Sequence, residues 1–122
     1  VAERAVYLAE HEDVSLPKEL LEMAQKAQEM FRQSLQALVA MDMKLATDIC
    51  AADDEVDTMH REMYALMCRL MQENPAKIEG YLHILAVSRY LERVADHATN
   101  IAEDVIYLVE GEIRRHGAGL KK

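Results

Sequence analysis

The sequence has no tryptophan, one phenylalanine, two prolines and four glycines. Strands draw on aromatic and β-branched residues and hairpins on glycine-rich turns, so this scarcity argues against a many-stranded sheet. It also leaves no glycine-rich loop to cradle a phosphate, and hence no visible nucleotide site. Cations are outnumbered: Lys and Arg total 14 against 22 Asp and Glu, for a formal net charge of −8. Nucleic-acid backbones and anionic membrane surfaces both need clustered positive charge, so neither is expected as a partner. No apolar run is long enough to cross a bilayer, and the first residues show no signal-peptide pattern. The two cysteines, Cys50 and Cys68, fall on one predicted helix. About 27 Å of helical rise separates them, too far for a mutual disulfide, so both read as reduced thiols of a cytoplasmic protein.

What is present is the mixture of an ordinary globular domain: 122 residues, 51% apolar and 30% charged. One modest core fits that length. The chain opens inside a helical pattern and repeats itself. Residues 1–10, VAERAVYLAE, and 101–110, IAEDVIYLVE, share Ala2/Ala102, Glu3/Glu103, Tyr7/Tyr107, Leu8/Leu108 and Glu10/Glu110. Residues 1–13 are therefore expected to end the last helix of a preceding repeat. Residues 14–116 form the next repeat and 117–122 a loose tail.

Punctuation divides that repeat into three helices. Ser15-Leu16-Pro17 starts the first, with Ser15 as cap and Pro17 in the first turn. Its stripe Leu20, Ala24, Ala27, Phe31, Leu35, Leu38 steps by three and four. Asp42 is placed to cap a second helix with the stripe Leu45, Ile49, Ala52, Val56, Met59, Met63, Leu66 and Leu70. Asn74-Pro75 starts a third, carrying Ile84, Val87, Leu91, Val94, Ala98, Ile101, Val105 and Leu108, with Gly111 as the expected C-cap. Links this short force antiparallel neighbours, giving an all-α, up-down-up three-helix bundle of helices roughly 24–36 residues long. All eight methionines lie on the first two helices, as flexible core filling or, alternatively, as a partner groove.

Carboxylates at helical spacing carry what chemistry is visible. Asp53 and Asp57 stack one turn apart on the second helix. On the third, Arg89, Glu92, Asp96, Asn100 and Glu103 make one polar stripe, set nearly opposite the apolar one on a helical wheel. Like charges four apart repel by a few tenths of a kcal/mol. A bound cation would relieve that, and paired oxygen ligands suit magnesium, calcium, manganese or iron. A site of this kind would be shallow and on the outer surface; the alternative is a solvated acidic face that binds nothing. His60 follows Asp57 by three residues, like the Glu-x-x-His step of di-iron bundles, but no second such pair exists. His97 reads as a surface histidine and Cys50 as packing. Ser15, Ser34 and Ser88 show no nucleophile–base pattern, so no catalytic residue is expected.

The run from Ser88 to Glu103, SRYLERVADHATNIAE, closely resembles the signature of the PhoU family, regulators associated with phosphate-specific transport. The resemblance continues through Val105–Gly111, includes Asp53–Asp57 and the prolines Pro17 and Pro75, and spans essentially residues 1–116. It implies two tandem three-helix repeats, of which this chain is similar to the C-terminal one. It implies a metal-binding Glu/Asp-x-x-x-Asp motif, matched here by Asp53 and Asp57 and by Glu92 and Asp96, with Asn100 and Glu103 as further candidate ligands. It also implies a non-enzymatic negative regulator of phosphate uptake and of the phosphate-starvation response. Its partners would be the transporter's ATPase subunit and a sensor kinase. A lone repeat would leave exposed a face that its neighbour covers, so a homodimer is expected. The competing readings are a di-iron-type enzyme and a plain helical adaptor without metal.

Overall fold

The computed structural model describes residues 16–120, and side chains as far as Arg115. The expected helical stub at residues 1–13, and the Ser15 cap, lie outside the described residues. Three helices follow in order: α1, Lys18–Ala40; α2, Met43–Glu73; and α3, Ile78–Leu120, entered through a 3-10 turn at Pro75–Lys77. Each helix packs on both others, in the up-down-up order that the short links dictate.

Local chemistry fixes the boundaries. Pro17 is extended (φ −64°, ψ 145°) and stands just before α1 rather than in its first turn. Its carbonyl accepts the Leu20 amide at 3.1 Å. At the other end Met41 takes a left-handed conformation (φ 53°), and the Asp42 amide donates back to the Ala37 carbonyl at 2.9 Å. That closes the helix. Asp42 then caps α2 as expected, its Oδ1 accepting from the Leu45 amide at 3.0 Å. Asn74 makes no side-chain cap; its carbonyl accepts the Lys77 amide in the 3-10 turn instead.

Gly111 does not end α3. The helix runs through it to Leu120, into the stretch expected to be loose, and no glycine among the described residues has positive φ. A C-cap needs that left-handed turn. Here Glu112 pairs with Arg115 at 3.0 Å and continues the helix. By its rise α3 is about 65 Å long, and residues 110–115 are all exposed.

The α2 stripe meets the core as expected, with Ile49, Val56 and Met63 buried, whereas the core faces of α1 and α3 are rotated from those their stripes predict. On α1 the buried positions are Leu20, Met23, Ala27, Met30, Ser34 and Ala37, whereas Phe31, Leu35 and Leu38 are exposed. On α3 they are Tyr81, Ile84, Val87, Ser88, Leu91, Ala95, Ala98, Ala102 and Val105, with Leu108 outside. The physical reason is complementarity of size. Alanines on α3 let the helices approach, and four wholly buried methionines, Met23, Met30, Met63 and Met67, fill the space between. Each such side chain contributes roughly 1.5–3 kcal/mol of burial.

Candidate metal centre

The rotation of α3 decides where the polar stripe goes. Its residues do not lie opposite the core as the wheel predicts. Glu92 and Asp96 flank it, turned toward α2. Antiparallel packing then brings Asp96 of α3 against Asp53 and Asp57 of α2, each offering an oxygen within 4.8 Å of the others. Asp53 and Asp57 are half-buried and Asp96 is exposed, so the cluster lines a seam open to solvent.

No basic side chain pairs with these three carboxylates among the described residues. Asp53 Oδ1 is shut off from solvent and has no hydrogen-bond partner. Burial, chiefly, and then the charges of Asp57 and Asp96 raise the Asp53 carboxyl above its ordinary range. The nearby Thr99 hydroxyl donates to the Ala95 carbonyl at 3.0 Å. An orphaned oxygen beside two carboxylates fits a hard cation: two Ca²⁺–O bonds of about 2.4 Å span up to ~5 Å. Asp53, Asp57 and Asp96 would hold it.

The other candidate residues are not part of this trio. Glu92 lies one turn along α3 and faces His60, its Oε1 3.8 Å from Nε2. Glu103 is exposed, beyond the cluster's opposite end, where its charge acts on Cys50. Burial, then Glu103 and Asp53, push the Cys50 thiol up, so it stays protonated near neutral pH. Asn100 is exposed. Sequence reasoning missed Ser88, which is wholly buried and bonds to His60. The signal was its step to Leu91 and Ala95, which puts it on the inward face of α3. The fully buried polar side chains among the described residues are Ser34 and Ser88. Among the described residues no Asp or Glu belongs to the buried core, where a di-iron centre would need several.

A PhoU-domain family model matches residues 20–105, which hold all three helices' packed portions and every candidate ligand. The chain is 37% identical over 117 residues to the phosphate-specific transport system accessory protein PhoU homolog of Pseudomonas aeruginosa, a match covering 95% of this chain and 48% of that protein. It is 33% identical over 102 residues to the PhoU homolog of Clostridium acetobutylicum, covering 84% and 46%. With the PhoU homolog of Pseudomonas putida it shares 34% identity over 123 residues, covering 100% and 48%. The chain thus spans about half the length of these curated relatives. With the family model covering most of its residues and the helical bundle they build, the chain belongs to the PhoU family.

Proposed function

We propose that this chain is one metal-binding unit of a phosphate-transport accessory protein that restrains phosphate uptake and starvation signalling through protein contacts rather than catalysis. The observation that carries the metal part is the convergence of Asp53, Asp57 and Asp96 around an orphaned carboxylate oxygen. Their chemistry favours iron, manganese, magnesium or calcium. The regulatory part is supported by the relatives' shared description as phosphate-specific transport accessory proteins.

Its partners would be the phosphate transporter's ATPase subunit and a phosphate-sensing histidine kinase, met on the cytoplasmic side. No helix among the described residues is long and apolar enough to cross a membrane, in keeping with docking rather than insertion. Glu92, Asn100 and Glu103 would extend the site into a multinuclear cluster as further ligands. Exposed Phe31, Leu35, Leu38 and Val39 on α1 favour association with a second copy.

The test is elemental analysis of protein purified without chelator or affinity metal. Stoichiometric iron, manganese or another hard cation, lost in the Asp57→Asn/Asp96→Asn double variant, is the expected result. A native chain that holds no metal and takes up none of these cations when they are added would sink the metal part and leave a helical adaptor.

A further inference from the structure

The face of the bundle away from the aspartate trio is built by α1 and α3. On α1, Lys26 pairs with Glu55 of α2 at 2.8 Å, which marks the α2 flank. At about 100° per residue, Phe31, Leu35 and Leu38 fall on the opposite flank, beside α3. On α3, Glu92 and Asp96 mark the α2 flank. Tyr90, Val94, His97, Ile101, Asp104 and Leu108 step by four and three along the other flank. Val94 and Ile101 are half-buried, whereas Phe31, Leu35, Leu38, Tyr90 and Leu108 are exposed. The two lines stand level. α1 and α3 run parallel, and the Ser88 hydroxyl meets Met23 Sδ, which sets Phe31–Leu38 beside roughly residues 96–103 of α3. The apolar arcs of both helices are thus wider than the bundle covers, and their uncovered halves adjoin.

Charge indicates what covers them. Arg93 and Asp104 border the α3 line about three turns apart, and neither has an ion-pair partner among the described residues. A second α3 laid antiparallel on this line brings Tyr90 opposite Leu108, Arg93 opposite Asp104 and His97 opposite Ile101, all about one point. The line is therefore complementary to itself under a two-fold axis, as an isologous interface requires. We propose that the α1/α3 face receives a second copy of this chain, with α3 antiparallel to the partner's α3, Tyr90 against the partner's Leu108 and Arg93 paired with the partner's Asp104. Each contact is made twice. The inference rests on the reading above that the chain associates with a second copy; it adds the surface and the register. Phe31, Leu35 and Leu38 widen the apolar contact. The charge pairs select the orientation, since an in-register parallel alignment would set Arg93 against the partner's Arg93. The aspartate trio lies on the other flank of α3 and stays open to solvent.

The experiment is sedimentation equilibrium of the full chain, native and charge-reversed. The native chain should form a dimer. Arg93→Glu alone and Asp104→Arg alone should each weaken association at least about 10-fold, because each puts like charges together twice per dimer. An equimolar mixture of the two variants should recover it, since in the mixed dimer each position 93 again faces an opposite charge at 104. The double variant Arg93→Glu/Asp104→Arg should recover it as well. Both positions are exposed, so the helical circular-dichroism signal should stay native throughout. A dimer that neither reversal weakens, or that the mixture fails to restore, would overturn the α3 pairing and leave self-association through Phe31 and its neighbours standing. A native chain that is monomeric at every concentration would overturn both and give the face to a different protein.

Discussion

Ser88 Oγ on α3 lies 2.7 Å from His60 Nδ1 on α2, a bond between residues 28 apart in sequence. The same oxygen donates to Met23 Sδ on α1. One buried hydroxyl therefore ties together all three helices, in a core that is otherwise nearly all apolar. Ser88→Ala leaves His60 Nδ1 without its hydrogen-bond partner in a half-buried place. The expected cost is about 1–2 kcal/mol, read as a lowered urea midpoint at unchanged slope.

Asp53→Asn is expected to stabilise the metal-free protein. The native carboxyl titrates above its ordinary range, so between the two pKa values the folded state binds more protons than the unfolded one. Stability from this group is complete below the unfolded value and is lost as pH rises through the raised native one. An uncharged amide removes that loss. At pH 7 in chelator the variant should melt a few degrees higher, a gain on the order of 1 kcal/mol. Toward pH 4 the difference should shrink. A variant that melts lower than native at pH 7 would contradict the repulsion among the three aspartates.

The same three carboxylates give the opposite response to cation. Binding only to the folded state adds stability that grows with the logarithm of concentration, about 2.7 kcal/mol at 100 times Kd. Thermal melts with increasing Mn²⁺ should shift upward in the native chain. They should stay flat in Asp57→Asn/Asp96→Asn.

Neighbouring apolar residues on α1 should behave very differently. Met30 is 1% exposed and Phe31 38%. Met30→Ala opens a cavity and is expected to cost about 2–5 kcal/mol. Phe31→Ala removes a half-exposed ring and should cost under about 1.5 kcal/mol by area. Equal losses in chemical denaturation would mean that α1 turns the face predicted by its Leu20–Leu38 stripe to the core.

Gly111 distinguishes a helix interior from a helix end. A Cβ built there meets nothing within 4 Å. Gly111→Ala should stabilise the protein by about 0.5–1 kcal/mol, because alanine loses less backbone freedom in a helix. A destabilised variant would instead mark the left-handed cap that the sequence pattern implies.

The sequence by itself determined three helices, their order and most of their ends, because these rest on local chemistry. Asp42 caps through its own side chain three residues ahead, and links as short as Met41-Asp42 permit only antiparallel neighbours. It also determined the family, through the long string from Ser88 to Glu103. The rotation of α2 was legible in its stripe, but that of α1 and α3 was not. Apolar residues cover a wide arc of α1, and Phe31, Leu35 and Leu38 are as hydrophobic as the Met23, Met30 and Ala37 that the core takes. Periodicity locates an apolar arc but not which half of it meets a neighbour. On α3 the small residues won, since only alanine and serine leave room for the methionines opposite. Asp53, Asp57 and Asp96 were visible as carboxylates in register along their own helices. That those three converge, that Glu92 turns to His60, and that Glu103 lies outside the trio was decided by the α2/α3 register. That register is set by core packing on the far side of both helices, which no spacing within one helix encodes.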